Sequence, residues 1–408
     1  MEKYEEIRAK CRRELLETID YTRDMDDEEI LDNIDRKVLK AGREYYLTLD
    51  ERCRLKKELF ASIRRLDILE EFLADNRVTE IMVNGPDAVF IEREGQLVKQ
   101  NVRFESKEKL SDVIQQIVAK VNRVVNEASP IVDARLENGA RVNVVMPPVA
   151  LNGPILTIRR FPDEPIRIED LLKLGSITKE AAEFLQKLVA ARFNIFISGG
   201  TGSGKTTFLN ALSDYIPGEE RIITIEDNAE LQIRNIPNLV RLETRNANVE
   251  GCKAVSIRDL IKTALRMRPD RIVVGEVRGD EAIDLLMAMN TGHNGSLSTG
   301  HANSSFDMLS RLETMVLMGM EMPLPAIRRQ IASAVDIIVH LGRLRDHSRK
   351  VLEIMEVAGC RDGEILLSPL YTFVEEGSDE KGRVMGRLVK QENLIHCEKL
   401  MNAGILPE

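Results

Sequence analysis

The chain has 408 residues, 43% of them apolar and 31% charged, with a formal net charge of −9. That balance describes a folded globular protein of two or three domains and excludes a disordered chain. The acidic total disfavours nucleic acid as the main partner.

Residues 1–15 are dense in charge and lack the apolar centre of a secretory signal. The charge-free run 142–158 is broken by Pro147, Pro148, Asn152, Gly153 and Pro154, so no membrane-spanning helix is expected. Cys11, Cys53, Cys252, Cys360 and Cys397 are scattered without a C-x-x-C pair. They read as reduced thiols of a cytoplasmic protein, not as a disulfide frame or a zinc module.

Segment 1–65 reads as helical and acidic. Ile30, Leu31, Ile34 and Val38 recur at helical spacing, as do Leu55, Leu59 and Ile63, and Thr48 with Glu51 fits a capping box. Its charge runs read as a solvated face, with a docking surface as the alternative. From residue 66 the pattern turns to short strands at 80–83, 88–92 and 97–102, punctuated by Asn84-Gly85-Pro86 and Glu94-Gly95. A helix carrying Leu110, Val113, Ile114, Ile117 and Val121 on one face follows. Strands at 134–136 and 141–145 then flank the tight-turn signal Glu137-Asn138-Gly139, and 155–158 is one more strand. The expectation is a small α+β domain over 66–161, closed by a linker at 161–165.

Beyond the linker, 168–191 reads as a helix, and an alternating β/α region runs to about residue 341. The tail after Arg345 carries a strand at 351–357, an Asp362-Gly363 turn and a helix near 393–401. The whole of 162–408 is read as the second main domain.

The chemistry concentrates there. Gly199-Gly200-Thr201-Gly202-Ser203-Gly204-Lys205-Thr206 spells a P-loop between an apolar strand at 193–198 and a helix with Phe208, Leu212 and Ile216 on one face. In that setting backbone N–H groups of Gly200, Thr201, Gly202, Ser203, Gly204, Lys205, Thr206 and Thr207 can cradle phosphate. Lys205 reaches the β and γ phosphates, and the Thr206 hydroxyl can ligate Mg²⁺. Strands at 221–225 and 271–274 deliver Glu226-Asp227 and Gly275-Glu276 at their carboxyl ends, where ligands of parallel sheets bind. Phosphoryl transfer to water needs a metal, an acceptor for the water and cations on the γ-phosphate. The three carboxylates can supply the acceptor and the metal shell. The polar stretch 289–303 holds His293 and His301, two of five histidines in the chain. Both read as groups on the phosphate side, His301 the stronger.

In this order these residues resemble the type II/IV secretion ATPase superfamily. The Walker A loop is followed by Ile225-Glu226-Asp227 with Glu230-Leu231, by Arg241-Leu242-Glu243-Thr244-Arg245, and by Leu265-Arg266-Met267-Arg268-Pro269-Asp270. Val274-Gly275-Glu276-Val277-Arg278-Gly279 and the histidine-bearing stretch complete the set. The acidic helical start and the segment from Arg135 to Asn143 look most like the CpaF-type ATPases of Tad/Flp pilus assembly. The likeness is convincing over about 66–345, and no four-cysteine zinc module of the type II secretion branch is present.

The resemblance implies an α/β fold, with a RecA-like P-loop NTPase domain preceded by a small PAS-like α+β domain and an N-terminal helical segment. It implies ATP with Mg²⁺, and a homohexamer whose nucleotide lies between the two domains. Lys205, Thr206 and Asp227 would hold phosphate and metal, Glu226 would support the metal shell, Glu276 would activate water, and His301 would sense the γ-phosphate. Arg135, Arg160, Arg266 and Arg278 are the candidate arginines reaching nucleotide from the small domain or a neighbour. The implied setting is cytoplasmic, peripheral to the inner face of the cell membrane and engaged with platform proteins of a pilus or secretion system. A conjugation-type transport ATPase and a non-hydrolysing nucleotide-bound scaffold are the other readings.

Overall fold

The computed structural model describes residues 2–16, 18, 26–93, 95–121, 123–136, 138–160, 165–245, 253–380 and 382–406. The expected linker apart from Pro165, together with Glu94, Glu137 and Cys252, lies outside them. The chain divides into two compact units, Met1–Asp163 and Glu164–Glu408.

The first unit opens with α1 (Glu2–Leu16), α2 (Asp27–Glu44) and α3 (Leu49–Arg64). Ile7, Leu15, Ile30, Ile34, Val38, Leu55 and Leu59 meet in a core of their own. The capping box closes on α3: Thr48 accepts the Glu51 amide, and the Glu51 carboxylate accepts the Thr48 amide. Next come α4 (Leu69–Ala74), β1 (Val78–Asn84), β2 (Val89–Arg93), β3 (Gln96–Lys99), α5 (Lys107–Ala119), β4 (Ile131–Arg135), β5 (Arg141–Val145) and β6 (Ile155–Arg159). The strands form one six-stranded antiparallel sheet in the order β3-β2-β1-β6-β5-β4. Ile81, Val83, Ile91, Val142, Val144, Leu156 and Ile158 face α5 residues Leu110, Val113, Ile114 and Ile117 in a second core. The helical and α+β segments thus belong to one unit, each with a separate apolar centre.

The second unit begins with α6 (Ile168–Lys173) and α7 (Lys179–Ala190). The single helix expected over 168–191 is broken because Gly175 turns to a φ of +63° and Thr178 caps a fresh helix through the Ala181 amide. Then follow β7 (Ile195–Gly199), α8 (Lys205–Ser213), β8 (Ile222–Glu226), β9 (Leu239–Glu243), α9 (Ile257–Ala264), β10 (Arg271–Val274), α10 (Glu281–Asn290), β11 (Leu297–His301), α11 (Ser305–Gly319) and α12 (Leu324–Ala334). Strands β12 (Ile337–Arg343), β13 (Arg349–Arg361), β14 (Glu364–Ser378) and β15 (Val384–Lys390) and helix α13 (Glu398–Asn402) complete it.

Nine strands order as β15-β14-β13-β12-β7-β11-β10-β8-β9. The six from β12 to β9 run parallel, and β13, β14 and β15 extend the sheet antiparallel. β7 is buried along its whole length, as a central parallel strand covered on both faces must be. One core packs α7 and α8 against β7, and the other packs α9 to α12 against β8 and β10. Parallel strands with helices on both faces present their carboxyl ends along one edge, which gathers Gly199, Glu226, Val274 and His301. Among the described residues no helix is long and apolar enough to cross a membrane.

Candidate active site

The loop 200–204 leaves β7 at Gly199 and enters α8 at Lys205. Gly202 and Gly204 take φ values of +71° and +94°, left-handed conformations available to glycine at little cost. Gly199 is fixed by space, since a Cβ there would lie 2.5 Å from both the Leu341 carbonyl oxygen and Ser203 Oγ. Ser203 Oγ donates back to the Gly200 carbonyl at 2.9 Å, tightening the turn. Thr206 and Thr207 follow in the first turn of α8, half-buried. The loop therefore joins left-handed glycine turns to a helix N-terminus, a setting suited to binding phosphate.

Lys205 is only 7% exposed. Its Nζ donates to the carbonyls of Gly199 at 3.1 Å and Gly200 at 3.0 Å and lies 3.2 Å from His301 Nδ1. An ammonium only donates, so Nδ1 is assigned as acceptor and the ring proton to Nε2. That Nε2 sits 2.8 Å from Glu276 Oε1. The approach is off the N–H axis, however, and buried Oε1 has no directed hydrogen bond. On the other side, Arg278 Nη2 donates to Glu276 Oε2 at 2.6 Å, and Arg278 Nη1 lies 3.8 Å from Asp227 Oδ2. Lys205, His301, Glu276, Arg278 and Asp227 thus form one continuous chain of polar contacts.

Burial is the largest influence lowering the pKa of Lys205, with Glu276 opposing it and Arg278 adding to it. Burial likewise holds His301 below the usual histidine range, against the pull of Glu276 and with help from Lys205. A neutral imidazole between an ammonium and a carboxylate is the consequence. Thr299, on β11, donates from Oγ1 to the Gly275 carbonyl at 2.7 Å and anchors the peptide that carries Glu276.

Glu226 ends β8 and is 3% exposed. Its Oε1 accepts the amides of Glu230 at 2.8 Å and Leu231 at 2.9 Å, while Oε2 is buried without a partner. Burial pushes its carboxyl up to about 7, against those two amide bonds. Gly275 is required beside it, because a Cβ there would stand 2.9 Å from Glu226 Cγ. Asp227 is exposed and accepts from Thr244 Oγ1 at 3.4 Å. Exposed Asp227, half-buried Thr206 and the unsatisfied Oε1 of Glu276 are hard oxygen donors of the kind Mg²⁺ accepts. Among the described residues no group of three or more His, Cys, Asp or Glu is set to hold a metal by itself. A Mg²⁺ ion held chiefly by substrate phosphates and water needs no such group.

Other sequence-predicted residues lie elsewhere. His293 is a correction: it precedes β11 at the amino edge of the parallel strands, 3.3 Å from the Ala288 carbonyl, whereas His301 ends the same strand at the P-loop edge. Arg266 follows α9 and precedes β10, again at the amino edge, and is exposed. Arg135 and Arg160 belong to the first unit. There Arg135 Nε donates to the Gly139 carbonyl at 3.0 Å, and Arg160 donates to the Asp75 and Val78 carbonyls and to Asn76 Oδ1. Sequence reasoning missed Arg349, at the start of β13, whose Nε donates to the Gly202 carbonyl at 2.9 Å. No motif flags that residue, because only the pairing register of β12 and β13 brings it to the loop.

A strand–loop–helix P-loop at the carboxyl edge of a parallel sheet, with Lys205, His301 and Glu276 converging on it, defines a P-loop α/β protein. More particularly, the chain belongs to the type II/IV secretion system protein family, whose model matches residues 64–403. A Mycobacterium tuberculosis protein named for conjugal transfer is 37% identical over 310 residues, spanning 73% of this chain and 88% of that one. The type IV secretion system protein VirB11 of Brucella suis is 34% identical over 303 residues, spanning 68% and 84%. In fold, the chain is similar to the crystal structure of the pilus retraction motor PilT with bound ADP, with a TM-score of 0.51 at 18% identity, spanning 83% of this chain and 86% of that one.

Proposed function

We propose that this chain is an ATP-hydrolysing motor, working as a homohexamer, that powers assembly of a Tad/Flp-type pilus or a type II/IV secretion apparatus. The observation that carries the reading is the contact chain from Lys205 through His301 to Glu276 beside the P-loop, in a member of the secretion family. In this reading unit two is RecA-like and the six-stranded sheet of unit one is PAS-like. The loop amides, Lys205 and Thr206 hold the phosphates and Mg²⁺, and Asp227 and Glu226 support the metal shell. Glu276 orients the attacking water and accepts its proton, while His301 reports the γ-phosphate to both Lys205 and Glu276. Closing and opening around nucleotide would turn hydrolysis into movement. The partners are platform proteins at the cytoplasmic face of the inner membrane, and the net charge of −9 disfavours nucleic acid among them.

A conjugation-type role is the second reading, favoured by the M. tuberculosis relative. A nucleotide-bound scaffold is disfavoured by Glu276, whose buried Oε1 is left for a substrate-side partner. Single-turnover hydrolysis by the purified chain separates enzyme from scaffold. Stimulation of that hydrolysis by pilus platform proteins supports the first reading; stimulation by conjugation coupling proteins or DNA supports the second.

A further inference from the structure

The register of the sheet places an unassigned arginine on the P-loop. β12 pairs with β7 as far as Leu341 opposite Gly199, and with β13 so that Gly342 faces Lys350 and Arg343 faces Arg349. The β12–β13 hairpin therefore projects past the carboxyl edge of the parallel strands just where the loop begins. It is held there firmly. Asp346 accepts the Ser348 amide at 3.0 Å, the Ser348 hydroxyl at 2.7 Å and the Val384 amide at 2.8 Å. Lys350 Nζ donates to the Gly175 carbonyl at 2.8 Å, and the Val351 amide donates to the Ser176 carbonyl at 2.8 Å. From this frame Arg349 Nε donates to the Gly202 carbonyl at 2.9 Å, its only polar contact among the described residues. Its Cδ is 3.4 Å from where a Cβ on Gly204 would stand, so the side chain lies along the outside of the loop.

We propose that Arg349 is a positioning residue for nucleotide binding: by holding the Gly202 carbonyl it aims the Ser203 amide to the Lys205 side of the loop, where that amide now donates to the Gly200 carbonyl at 3.3 Å, the same oxygen Lys205 Nζ reaches, and would pass to a phosphate on binding. This rests on reading the loop as a nucleotide site. The physical link is the planarity of the peptide. A trans peptide points its C=O and its N–H in opposite directions, so fixing the Gly202 carbonyl on the outer side fixes the Ser203 N–H on the inner side. Glycines at 202 and 204 leave the loop free to rotate that peptide, at an entropic cost that a phosphate would otherwise meet on binding. Arg349 meets part of it beforehand, from a strand outside the motif. The cradle it sets is the one that serves the α and β phosphates, whereas Lys205 serves β and γ. Arg349 accordingly acts on ADP and ATP alike.

The substitutions R349M and R349Q separate the hydrogen bond from the charge. Met fills the same length of chain with no donor; Gln places its amide nitrogen at the position of Nε and removes only the charge. Binding of ATP and ADP, each with Mg²⁺, is measured on the full chain by calorimetry, with K205A beside it. R349M is expected to weaken ATP and ADP equally, by about tenfold, the scale of one net hydrogen bond to a charged donor. R349Q is expected to stay within about twofold of wild type. In steady state R349M should raise KM and leave kcat unchanged, which loss of general stability would not do. An R349M chain that binds both nucleotides normally while K205A binds weakly overturns the proposal. A loss confined to ATP, or R349Q as weak as R349M, overturns it too. If K205A and R349M both bind normally, it is the nucleotide site itself that falls.

Discussion

Glu276 Oε1 and His301 Nε2 stand 2.8 Å apart, close enough for an ion pair, yet the carboxylate oxygen receives no directed hydrogen bond. A buried carboxylate oxygen at that position is a ready acceptor for a water proton, and its second oxygen is fixed by Arg278 at 2.6 Å. Substituting Glu276→Gln keeps the shape and removes the base. Hydrolysis of bound ATP is expected to slow by roughly 10²–10⁴ while ATP binding is retained. Rapid-quench single-turnover measurement checks this. Weakened binding with unchanged turnover of bound ATP would make Glu276 structural and pass the role to Glu226.

Among the described residues Lys205 is the only cation hydrogen-bonded to the Gly199 and Gly200 carbonyls and to His301. Burial pulls its pKa down, and an anionic phosphate beside it would oppose that pull and stabilise the ammonium. Lys205→Ala should abolish hydrolysis and weaken ATP more than ADP, because the β and γ oxygens lose their cation. Titration of both nucleotides followed by a turnover assay decides it, and normal turnover in this variant would sink the P-loop assignment.

Glu226 gives a pH signature. Its carboxyl is pushed up to about 7 in the fold from an ordinary value of 4.5. Between those values the folded chain keeps a proton that the unfolded chain has lost, so stability is greatest at the acid end and falls as pH rises through 7. Glu226→Gln carries no charge at any pH. Its amide oxygen can still accept the Glu230 and Leu231 amides. Relative to this variant, the wild-type chain is expected to lose roughly 2–3 kcal/mol between pH 5 and 8, read from urea melts. Parallel pH curves for the two proteins would refute the assignment.

Legibility in the sequence followed the range of the signal. The P-loop is contiguous, and Glu276 follows four buried residues that can only be a central strand, so both were readable directly. His293 was misplaced because two histidines eight residues apart looked like one polar cluster, while β11 between them carries each to an opposite edge of the sheet. The helix break at Gly175 hides in an otherwise continuous apolar stripe. Strands β14 and β15 went unread, since their pairing is antiparallel and long-range and their faces carry charges at the sheet edge. Arg349 depends wholly on register, which no local pattern encodes.

The arginines of 241–278 bear on assembly. Arg241 donates to the Leu231 carbonyl, Arg245 to the Lys253 carbonyl, Arg258 pairs with Asp280 and Asp284, Arg271 with buried Glu220, and Arg278 with Glu276. Arg268 and Arg266 are both left exposed at the amino edge of the strands, and Arg266, the arginine expected to reach a nucleotide, has its own P-loop at the carboxyl edge. If it serves a nucleotide, that nucleotide belongs to a neighbouring subunit. Arg266→Ala alone and Lys205→Ala alone should each be inactive. Mixed, they should recover activity, because some sites then join an intact P-loop to an intact neighbouring arginine. Specific activity of the wild-type chain should also rise with concentration as rings form. Recovery on mixing supports action in trans; activity per mole that stays constant down to a monomer by sedimentation ends the ring reading.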